Sequence, residues 1–294
     1  MSCVNVGLVG VGNCASALVQ GLVFYGLEDV RVVSAFDVAP EKVGRELAEA
    51  IWAGANNALA FAEVPPAGVT VRDGGGASPE AIAAELKASA TEVVVALLPA
   101  GAQRESEVYA EAALIAGCAY VNGLPAVLAR DPAWATRFAQ ARLPLLGDDL
   151  KSAFGTTLIH RALLDALAGN DVEITSTFQL NAGGNEDFRA LEDPAALAAK
   201  QATKTEGLGA GGGYPSHVGT SHIAHLADRK TAFLRIDALG FGATSIEIDV
   251  RMSLEDSPSA APVILEAVRV AKAALDEGRG GVLEESARLM KAAP

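Results

Sequence analysis

The order of strand-like and helix-like stretches in the first half of the chain constrains the fold more than any other feature. Residues 4–22, VNVGLVGVGNCASALVQGL, combine a β-branched apolar run, a glycine turn and a helical pattern. Four further apolar runs follow, with helix-like stretches between them: VRVVSAFD at 30–37, EVVVALLP at 92–99, AYVNGLP at 119–125 and LPLLGDD at 143–149. Strands that are apolar on both faces and alternate with helices indicate a parallel sheet with helices on both sides. We therefore predict an α/β fold whose first 150 residues form a doubly wound parallel sheet.

The second half of the chain has a different pattern. After a helical stretch that closes at Gly169, three runs beginning at 172, 231 and 244 alternate apolar and polar residues. Such alternation is typical of a half-exposed antiparallel sheet, which also offers a surface for subunit pairing. Residues 259–278 then return to an amphipathic helix like those of the first half.

These patterns predict two domains. Residues 1–150 and 255–294 form the first, and residues 151–254 form an α+β domain with a mainly antiparallel sheet. Within the second domain the segment EGLGAGGGYPSHVGTSH, residues 206–222, is rich in glycine and has no periodicity. Such composition predicts a mobile loop.

Composition excludes several classes of protein. A formal net charge of −13 argues against a nucleic-acid partner, because a phosphate backbone requires a basic face. No apolar run approaches the roughly 18 residues of a membrane span, and the N-terminal sequence has no basic region typical of a signal peptide. Cys3, Cys14 and Cys118 are too few and too scattered for a disulfide framework. We expect a cytoplasmic protein.

The four histidines carry little functional signal. His160 lies within a predicted helix, and we interpret it as structural. His217, His222 and His225 follow one another at a spacing that matches no metal-binding motif, so we interpret them as surface or loop residues. We predict no metal site.

The turn after the first strand carries the pattern Gly10-x-Gly12-x-x-Ala15 between a strand and a helix. In that context the first glycine makes the tight turn, the second lets the backbone approach a pyrophosphate, and a small third residue allows close packing. Asp37 ends the second strand, where a carboxylate binds a ribose diol and repels a 2′-phosphate. We predict a Rossmann-like domain that binds NAD rather than NADP; the alternative is a tight turn without a ligand.

Other candidates for cofactor contacts are Asn13 and Cys14 in the glycine loop and Leu97, Pro99 and Asn122 at strand ends. The carboxyl ends of parallel strands meet at the edge of the sheet where a dinucleotide lies. Asn122 is a candidate for a nicotinamide or ribose contact, and an ordinary loop cap is an equally open interpretation.

Three stretches carry polar residues that neither a core nor a surface requires: GDDLKSAFGTT at 147–157, NAGGNEDF at 181–188 and ADRKTAF at 227–233. A serine before a helix start, such as Ser152, suits a substrate phosphate. The paired glycines of the second stretch predict the close approach of a ligand or a sharp turn. Lys200 and Lys204 lie four residues apart, and a solvated helix face is the simplest interpretation of such a pair.

Eight motifs, taken together, show that the chain resembles the inositol-1-phosphate synthase family, also called myo-inositol-3-phosphate synthase, over almost its whole length. They are GVGNCAS at 10–16, SAFD at 34–37, GDDLKS at 147–152, NAGGNEDF at 181–188, KQATKT at 200–205, DRK at 228–230, LEDSPSAAPVILEAVRVAK at 254–272 and LMK at 289–291. The resemblance implies a Rossmann domain completed by the C-terminal segment, a central catalytic and tetramerisation domain, bound NAD and a homotetramer.

The resemblance also implies a reaction, the redox-neutral conversion of glucose 6-phosphate to a myo-inositol phosphate. Oxidation at C5, enolisation at C6, intramolecular aldol closure and re-reduction each develop charge on oxygen, which ammonium groups stabilise. The implied catalytic residues are Lys200, Lys204, Lys230, Lys291, Asp187 and Asp228, with the carboxylates orienting the lysines. Ser152, Asn181 and Asn185 would bind the sugar phosphate. Asp148 would help to hold the cofactor, and Asp256 would either orient a lysine or help to hold the cofactor.

Among the lysines, the resemblance implies that Lys204 transfers the proton coupled to hydride transfer at C5 and that Lys230 lies near the C1 or C5 oxygen. Lys200 and Lys291 would neutralise the phosphate and assist enolisation. A lysine that is desolvated or close to other cations has a lowered pKa, which suits acid–base work at neutral pH.

The chain departs from the family pattern in being short and in carrying glycine-rich sequence after Lys204. The substrate therefore stays open: fructose 6-phosphate would give a five-membered ring by the same enolate chemistry. A plain NAD-dependent dehydrogenase, which releases NADH, and a non-catalytic NAD-binding sensor are further alternatives. Neither of these two requires the motifs KQATK, DRK and LMK together.

Overall fold

The computed structural model of the chain describes residues 3–207 and 213–292. The strands are β1 (Val4–Val9), β2 (Val30–Asp37), β3 (Val71–Asp73), β4 (Val93–Ala96), β5 (Ala119–Asn122), β6 (Pro144–Leu146), β7 (Glu173–Gly183), β8 (Ser216–His222), β9 (Arg229–Leu239), β10 (Ser245–Glu255) and β11 (Gly281–Val282). The α-helices are α1 (Asn13–Phe24), α2 (Leu47–Ala50), α3 (Pro79–Ala88), α4 (Gln103–Ala116), α5 (Pro132–Ala141), α6 (Thr156–Ala168), α7 (Glu186–Ala190), α8 (Pro194–Gly207), α9 (Asp256–Asp276) and α10 (Ser286–Leu289).

A parallel sheet of seven strands is built from the first half of the chain and the C-terminal segment. Its strand order is β11-β6-β5-β4-β1-β2-β3, and every neighbouring pair is parallel. The order 3-2-1-4-5-6 within it is typical of doubly wound folds that bind dinucleotides. The predicted fold class is thus confirmed. Strands β3 and β11 were not predicted, because runs of three and two residues are too short to show a period.

Helices cover both faces of the parallel sheet. On one face α1 and α9 enclose a buried cluster in which Ile264 and Val268 pack with Val6 and Leu8 of β1. On the other face α3, α4 and α5 enclose a second cluster. The C-terminal segment therefore completes the first core, and we propose the predicted domain division at about residues 150 and 255 on that basis.

Four strands form the second sheet, in the order β10-β9-β7-β8. The pairs β10–β9 and β9–β7 are antiparallel, and apolar and polar residues alternate along β10 as predicted. Strand β8 pairs parallel with β7, and it lies within the segment for which we predicted a mobile loop. That prediction was wrong for residues 216–222, where backbone pairing to β7 orders a polar sequence without a period; its residues 208–212 lie outside the described part of the chain.

The starts of the helices differ in how their first N–H groups are satisfied. Ser78 and Asp131 cap α3 and α5 with side-chain oxygens, and a proline follows each of them. Helices α1 and α6 instead begin after Gly12 and Gly155, which have no side chain to offer. Their first N–H groups are therefore open to another acceptor. Within residues 3–207 and 213–292, no helix is both long and apolar enough to cross a membrane.

Candidate active site

A cavity of about 1760 Å³ lies at the carboxyl edge of the parallel sheet, and elements of both sheets line it. Most of the sequence-predicted residues line this cavity: Gly10, Gly12, Asn13, Cys14, Asp37, Leu97, Pro99, Ser152, Asn185, Asp187, Lys200, Lys204, Lys230, Asp256 and Lys291. The other four predicted residues, Asn122, Asp148, Asn181 and Asp228, are buried behind its wall.

The glycine loop has the geometry that its sequence predicted. Gly10 has a φ of +91°, and a Cβ at this position would lie 2.6 Å from the carbonyl oxygen of Leu97, so only glycine fits. A Cβ on Gly12 would meet nothing within 4 Å and would extend into the cavity. Burial raises the pKa of Cys14 to about 12, so its thiol stays protonated at neutral pH.

Asp37 lines the cavity at the end of β2, and its carboxylate is already well supported. Its oxygens accept hydrogen bonds from the N–H groups of Val11, Val38 and Ala39 at 2.8, 2.8 and 2.9 Å. Lys42, which is 6% exposed, lies with its Nζ 3.5 Å from Asp37 Oδ2. The pair places an anion, with its counterion, where the ribose of a dinucleotide would bind.

Lys200 and Lys291 converge on one carboxylate. Both donate to Oδ1 of Asp149, at 3.2 and 2.9 Å, and Asp149 is 1% exposed. Asp187 adds a second carboxylate, with its Oδ2 3.7 Å from Lys200 Nζ. Burial favours the neutral form of Lys200, but Asp149 and Asp187 outweigh it and raise the pKa of this lysine. Lys200 is therefore a fixed positive charge.

Lys291 reaches the cavity because the C-terminal segment pairs with the chain that follows β6. Leu150 and Met290 form an antiparallel bridge, and the N–H of Lys291 donates to the carbonyl of Asp149 at 2.7 Å. Burial lowers the pKa of Lys291, and Asp149 offsets this only in part. This lysine can therefore release a proton more readily than Lys200.

Lys204 lies one turn further along α8, and its surroundings differ from those of Lys200. It is 5% exposed and makes no hydrogen bond or ion pair to any residue that the structure describes. Burial lowers its pKa well below the ordinary 10.5, and the other lysine ammonium groups of the cavity lower it further. The spacing alone favoured a solvated helix face for this pair, and the motif resemblance instead implied a site; in the fold both lysines are buried because α8 turns this face to the cavity.

Lys230 is the second residue of β9 in the second sheet, and it is held by the first residue of α9. Its Nζ donates to Oδ1 of Asp256 at 3.1 Å and lies 6.0 Å from the ring centroid of Phe188. Burial would raise the pKa of Asp256, but Lys230 and the other lysines of the cavity lower it. We predicted that Asp256 orients a lysine or helps to hold the cofactor, and the observed contact is with a lysine.

Asp228 does not orient a lysine, contrary to our expectation. Its carboxylate accepts hydrogen bonds from the side chains of Asn13, Asn185 and Ser257 at 3.0, 2.9 and 2.8 Å. The N–H of Ser257 also donates to it, at 3.1 Å. Asp228 immediately precedes β9, and it is 1% exposed among donors from the glycine loop, the start of α7 and α9.

Asn122 and Asp148 are bonded to one another rather than open to the cavity. Asn122 Nδ2 donates to Asp148 Oδ1 at 2.7 Å, and the N–H of Ala129 donates to the same oxygen at 3.0 Å. Both side chains are 0% exposed, and burial raises the pKa of Asp148. Their contacts hold the loop after β5 against the end of β6, which supports the cavity floor.

Asn181 belongs to a polar chain beneath the second sheet. It accepts a hydrogen bond from Gln179 at 2.9 Å and donates to the carbonyl of Gly219 at 3.2 Å. Gln179 in turn meets His160, whose other ring nitrogen is 2.6 Å from Thr177 Oγ1. This supports the structural interpretation of His160 and leaves Asn181 occupied by its own strand neighbours.

The paired glycines near Asn181 are explained by packing within the chain. A Cβ on Gly183 would lie 2.5 Å from the ring of Phe188, and one on Gly184 would lie 2.5 Å from the carbonyl oxygen of Ile223. The expected close approach is therefore that of protein atoms. It brings Asn185 to the cavity, where its Oδ1 also caps α7 by accepting from the N–H of Phe188 at 3.2 Å.

The start of α6 provides a second place for an anion. Ser152, Gly155 and Thr156 line the cavity there, and free N–H groups with the helix dipole attract negative charge. Thr156 is 2% exposed, and within the described chain its Oγ1 has no hydrogen-bond partner. Neighbouring Lys151 instead donates to the carbonyls of Ala287 and Arg288 at 2.8 and 3.3 Å.

Sequence reasoning missed Asp149, Thr156 and Lys42 as site residues. The doublet Asp148–Asp149 signalled a polar strand end, but adjacent side chains point different ways and the doublet does not tell which one meets the lysines. Thr156 lay in the quoted stretch GDDLKSAFGTT without being selected. Lys42 lies outside every motif, and only the fold brings it to Asp37. Over the described ranges, no group of three or more His, Cys, Asp or Glu is placed to hold a metal ion.

Comparisons with known proteins agree with the motif resemblance. The family model described as myo-inositol-1-phosphate synthase matches residues 155–257. The inositol-3-phosphate synthase of Mycolicibacterium smegmatis is 39% identical over 338 aligned positions, which cover 99% of this chain and 93% of that protein.

Solved structures show the same fold. The crystal structure of a protein named Ari2 superposes with a TM-score of 0.87 at 34% identity and covers 99% of this chain and 92% of that one. A myo-inositol-1-phosphate synthase-related protein from Thermotoga maritima superposes with a TM-score of 0.80 at 24% identity, covering 98% of this chain and 92% of that one. The second likeness concerns the fold alone.

Proposed function

The chain belongs to the myo-inositol-1-phosphate synthase family, and from that premise we propose that it is an NAD-dependent, redox-neutral cyclase that converts glucose 6-phosphate to a myo-inositol phosphate. One observation carries the proposal. Lys200, Lys204, Lys230 and Lys291 line one cavity beside the glycine loop, although the chain as a whole carries a net charge of −13. A plain dehydrogenase or a sensor has no use for so many ammonium groups around its substrate.

NAD fits the residues of the first sheet. Gly10 and Gly12 leave room for the pyrophosphate at the start of α1, and Asp37 suits the adenosine ribose. When bound, NAD supplies the hydride acceptor for the C5–H bond and the hydride donor for the closing reduction. Asp37 also excludes a 2′-phosphate by charge, which is why we propose NAD and not NADP.

Lys204 is the proton acceptor in this proposal. Burial and the neighbouring ammonium groups lower the pKa of Lys204 well below 10.5, so this lysine gives up its own proton more readily and can take the proton of the C5 hydroxyl. The resulting C5 ketone acidifies the protons on C6. The same ammonium can later return its proton to the C5 oxygen, so no net proton is consumed.

Lys200, Lys291 and Lys230 stabilise negative charge as it develops on oxygen. Lys200, paired with Asp149, stays charged and stabilises the enolate that forms when the neutral form of Lys291 takes a proton from C6. Lys291 shares that carboxylate, helps to neutralise the phosphate, and has the lower pKa of the two. Lys230, held by Asp256, donates to the C1 oxygen when the C6 carbon attacks the C1 aldehyde and closes the ring.

The phosphate of the substrate would bind at the start of α6. Thr156 Oγ1 can donate to a phosphate oxygen, since it lacks a partner in the described chain. Ser152 and the first N–H groups of the helix complete the site. Asn185, the N-cap of α7, also lines the cavity, where it can bind a sugar hydroxyl.

Fructose 6-phosphate is a second candidate substrate. Its C6 enolate would attack the C2 ketone and form a five-membered ring. The alignment with the mycobacterial relative runs over 338 positions, whereas this chain has 294 residues. The relative therefore has segments that this chain lacks, and a changed cavity wall can change the substrate.

One assay tests both candidates. The purified protein is incubated with NAD and glucose 6-phosphate, or with NAD and fructose 6-phosphate, while absorbance at 340 nm and the phosphorylated product are followed, the latter by NMR. We expect an isomeric cyclitol phosphate without lasting NADH, and the ring size identifies the substrate. Stoichiometric NADH without a cyclitol would contradict the cyclase.

A homotetramer in the cytoplasm completes the proposal. The outer face of the second sheet exposes Phe178, Leu180 and Phe233, and an apolar patch of this kind is typical of a surface that another subunit covers. Light scattering coupled to gel filtration tests the tetramer, and a monomer at micromolar concentration would contradict it.

A further inference from the structure

The side chain of Asn13, in the glycine loop, forms hydrogen bonds with other residues of the protein. Its Nδ2 donates to Asn57 Oδ1 at 2.6 Å and to Asp228 Oδ1 at 3.0 Å. Its Oδ1 accepts from the N–H of Asn57 at 2.9 Å. Both N–H donors of the Asn13 side chain are therefore used within the protein, and its backbone N–H, at the start of α1, is the donor left for a ligand.

Asn57 also contacts the second sheet. Its Nδ2 donates to the carbonyl of Gly184 at 3.2 Å, just beyond the end of β7. The next residue, Asn185, donates to the same Asp228 oxygen as Asn13 does, at 2.9 Å. These contacts close a ring that joins the glycine loop of the parallel sheet to the β7–α7 corner of the second sheet.

The segment that carries Asn57 is anchored on the parallel-sheet side. Asn56 donates to the carbonyls of Val11 and Ile51 at 2.9 and 2.8 Å. Gln20, which is 0% exposed on α1, accepts from the N–H of Phe61 at 2.7 Å. Asn57 thus projects from a segment that is tied to the glycine loop and α1, and it reaches across to Gly184.

We propose that Asn57 is a positioning residue that sets the distance between the glycine loop and the lysine cluster, which consists of Lys200, Lys204, Lys230 and Lys291. The inference rests on the proposed cyclase function. Lys204 and Lys230 lie on α8 and β9, whereas Gly10 and Gly12 lie beside β1. In the proposed reaction the lysines contact the substrate and the glycines contact the cofactor. The ring of hydrogen bonds around Asn57 therefore fixes the position of the substrate relative to the cofactor.

The reaction explains why such a contact would matter. A redox-neutral cyclase takes a hydride from C5 and must return it to the same carbon after the ring has closed. A misplacement of about 1 Å can cost on the order of 100-fold in rate. A loosened contact would let the oxidised intermediate escape before the return step, and reduced cofactor would then accumulate.

The experiment compares Asn57→Ala and Asn57→Asp with Asn170→Ala. Asn57→Asp keeps an acceptor for Asn13, loses the donor to Gly184 and adds a negative charge that the Gly184 carbonyl repels, whereas Asn57→Ala removes both contacts without adding charge. Asn170 is an exposed asparagine that donates to the carbonyl of Ala166 on α6, and its variant controls for the loss of an amide. Hydrogen exchange of the protein without cofactor, affinity for NAD, and NADH formed per cyclitol phosphate are measured for each.

We expect both Asn57 variants to exchange faster at residues 183–188 than the wild type, whereas Asn170→Ala does not. NADH per cyclitol phosphate should rise by about tenfold or more. A purely structural role would lower the folded fraction without changing that ratio. Unchanged exchange at residues 183–188, or an unchanged ratio in a cyclising enzyme, would overturn the inference alone. A wild type that cyclises neither sugar phosphate would overturn the proposed function and this inference together.

Discussion

Lys200 donates a hydrogen bond to Asp149 across 51 positions of sequence, with 3.2 Å between Lys200 Nζ and Asp149 Oδ1. Lys291 donates to the same oxygen from the far end of the chain. A single buried carboxylate thus holds together two cations that come from a helix of the second half and from the C-terminal segment. Asp149 is therefore the carboxylate that Lys200 and Lys291 share, whereas Lys230 pairs with Asp256.

Replacement of that carboxylate should disable the site without removing any lysine. In Asp149→Asn the two ammonium groups lose their shared counterion, and removal of one partner from a buried ion pair costs about 3–5 kcal/mol. We expect a lower free energy of unfolding in urea and a fall in kcat of about 100-fold. NAD affinity should change little, because the dinucleotide loop is separate from this pair.

Asp276→Asn is a matched control, since Asp276 also pairs with a lysine, Lys272, but on the exposed surface of α9. Its stability and kcat should remain close to those of the wild type. If Asp149→Asn behaved like Asp276→Asn, the carboxylate would not be holding the lysine cluster.

Replacement of Lys204 by an apolar residue should raise stability and lower catalytic activity. Lys204→Met removes the proton acceptor, so kcat should fall by about 1000-fold. The same change replaces a buried amine by an apolar side chain of similar length, so the free energy of unfolding should rise. Lys204→Arg, which cannot lose its proton, should be inactive and less stable than the wild type.

The stability difference between wild type and Lys204→Met should depend on pH. The pKa of Lys204 is lowered from 10.5 in the folded protein, so between the folded pKa and 10.5 the unfolded state binds more protons. Wild-type stability therefore rises with pH in that window relative to the methionine variant. Urea unfolding at several pH values measures the difference in free energy of unfolding between the two proteins. If this difference does not narrow as pH rises, the pKa of Lys204 is not lowered in the folded protein.

Asp37 and Lys42 should control the choice between NAD and NADP. In Asp37→Ser the buried ammonium of Lys42 loses its carboxylate neighbour, and a 2′-phosphate can replace that anion. We expect NADP affinity to rise by about tenfold or more, and the further change Lys42→Met to remove the gain. Asp37→Asn provides the same test with a side chain of equal size.

The readout for this pair is dinucleotide binding by calorimetry, which does not depend on turnover. NADP binding that stays weak in Asp37→Ser, or that persists after Lys42→Met, would exclude Lys42 as the counterion.

Thr156 should contribute to binding of the sugar phosphate and little to folding. In the described chain its hydroxyl has no partner, so Thr156→Val should leave the free energy of unfolding unchanged or slightly higher. Loss of a hydrogen bond to a charged phosphate should raise KM by about 10–100-fold with kcat nearly constant.

Thr136→Val on the exposed side of α5 removes a hydroxyl that donates to the carbonyl of Pro132 and serves as the control for Thr156→Val. Equal KM values for the two variants would place the phosphate elsewhere.

Much of the fold could be predicted because its signals are local. The turn at Gly10 and Gly12, the acid at Asp37 and the alternation along β10 each depend on residues that are neighbours in sequence. Strand β8 could not be predicted. Its backbone pairing with β7 holds SHVGTSH in place, and this pairing does not require a pattern of apolar and polar side chains in the sequence.

The site was predicted in its residue types and less well in its contacts. Lys200, Lys204, Lys230 and Lys291 were identified by motif, and the fold brings all four to one cavity. The hydrogen-bond partners of the site residues were predicted less well. Asp228 was expected beside a lysine and instead accepts a hydrogen bond from Asn13, which is 215 positions away. Sequence motifs carry identity and order, but they do not carry the direction of a side chain.

The amino-acid sequence by itself determined the parallel sheet, the dinucleotide loop and the family, because these follow from periodicity, glycine geometry and ordered motifs. Only the tertiary structure decided which aspartate holds Lys200 and Lys291 and which lysine has a lowered pKa. Lys200 and Lys204 are chemically identical and lie on one helix, yet the pKa of one is raised and that of the other is lowered. The difference comes from burial and from the charges that distant parts of the chain bring within a few ångströms, and those exist only after folding.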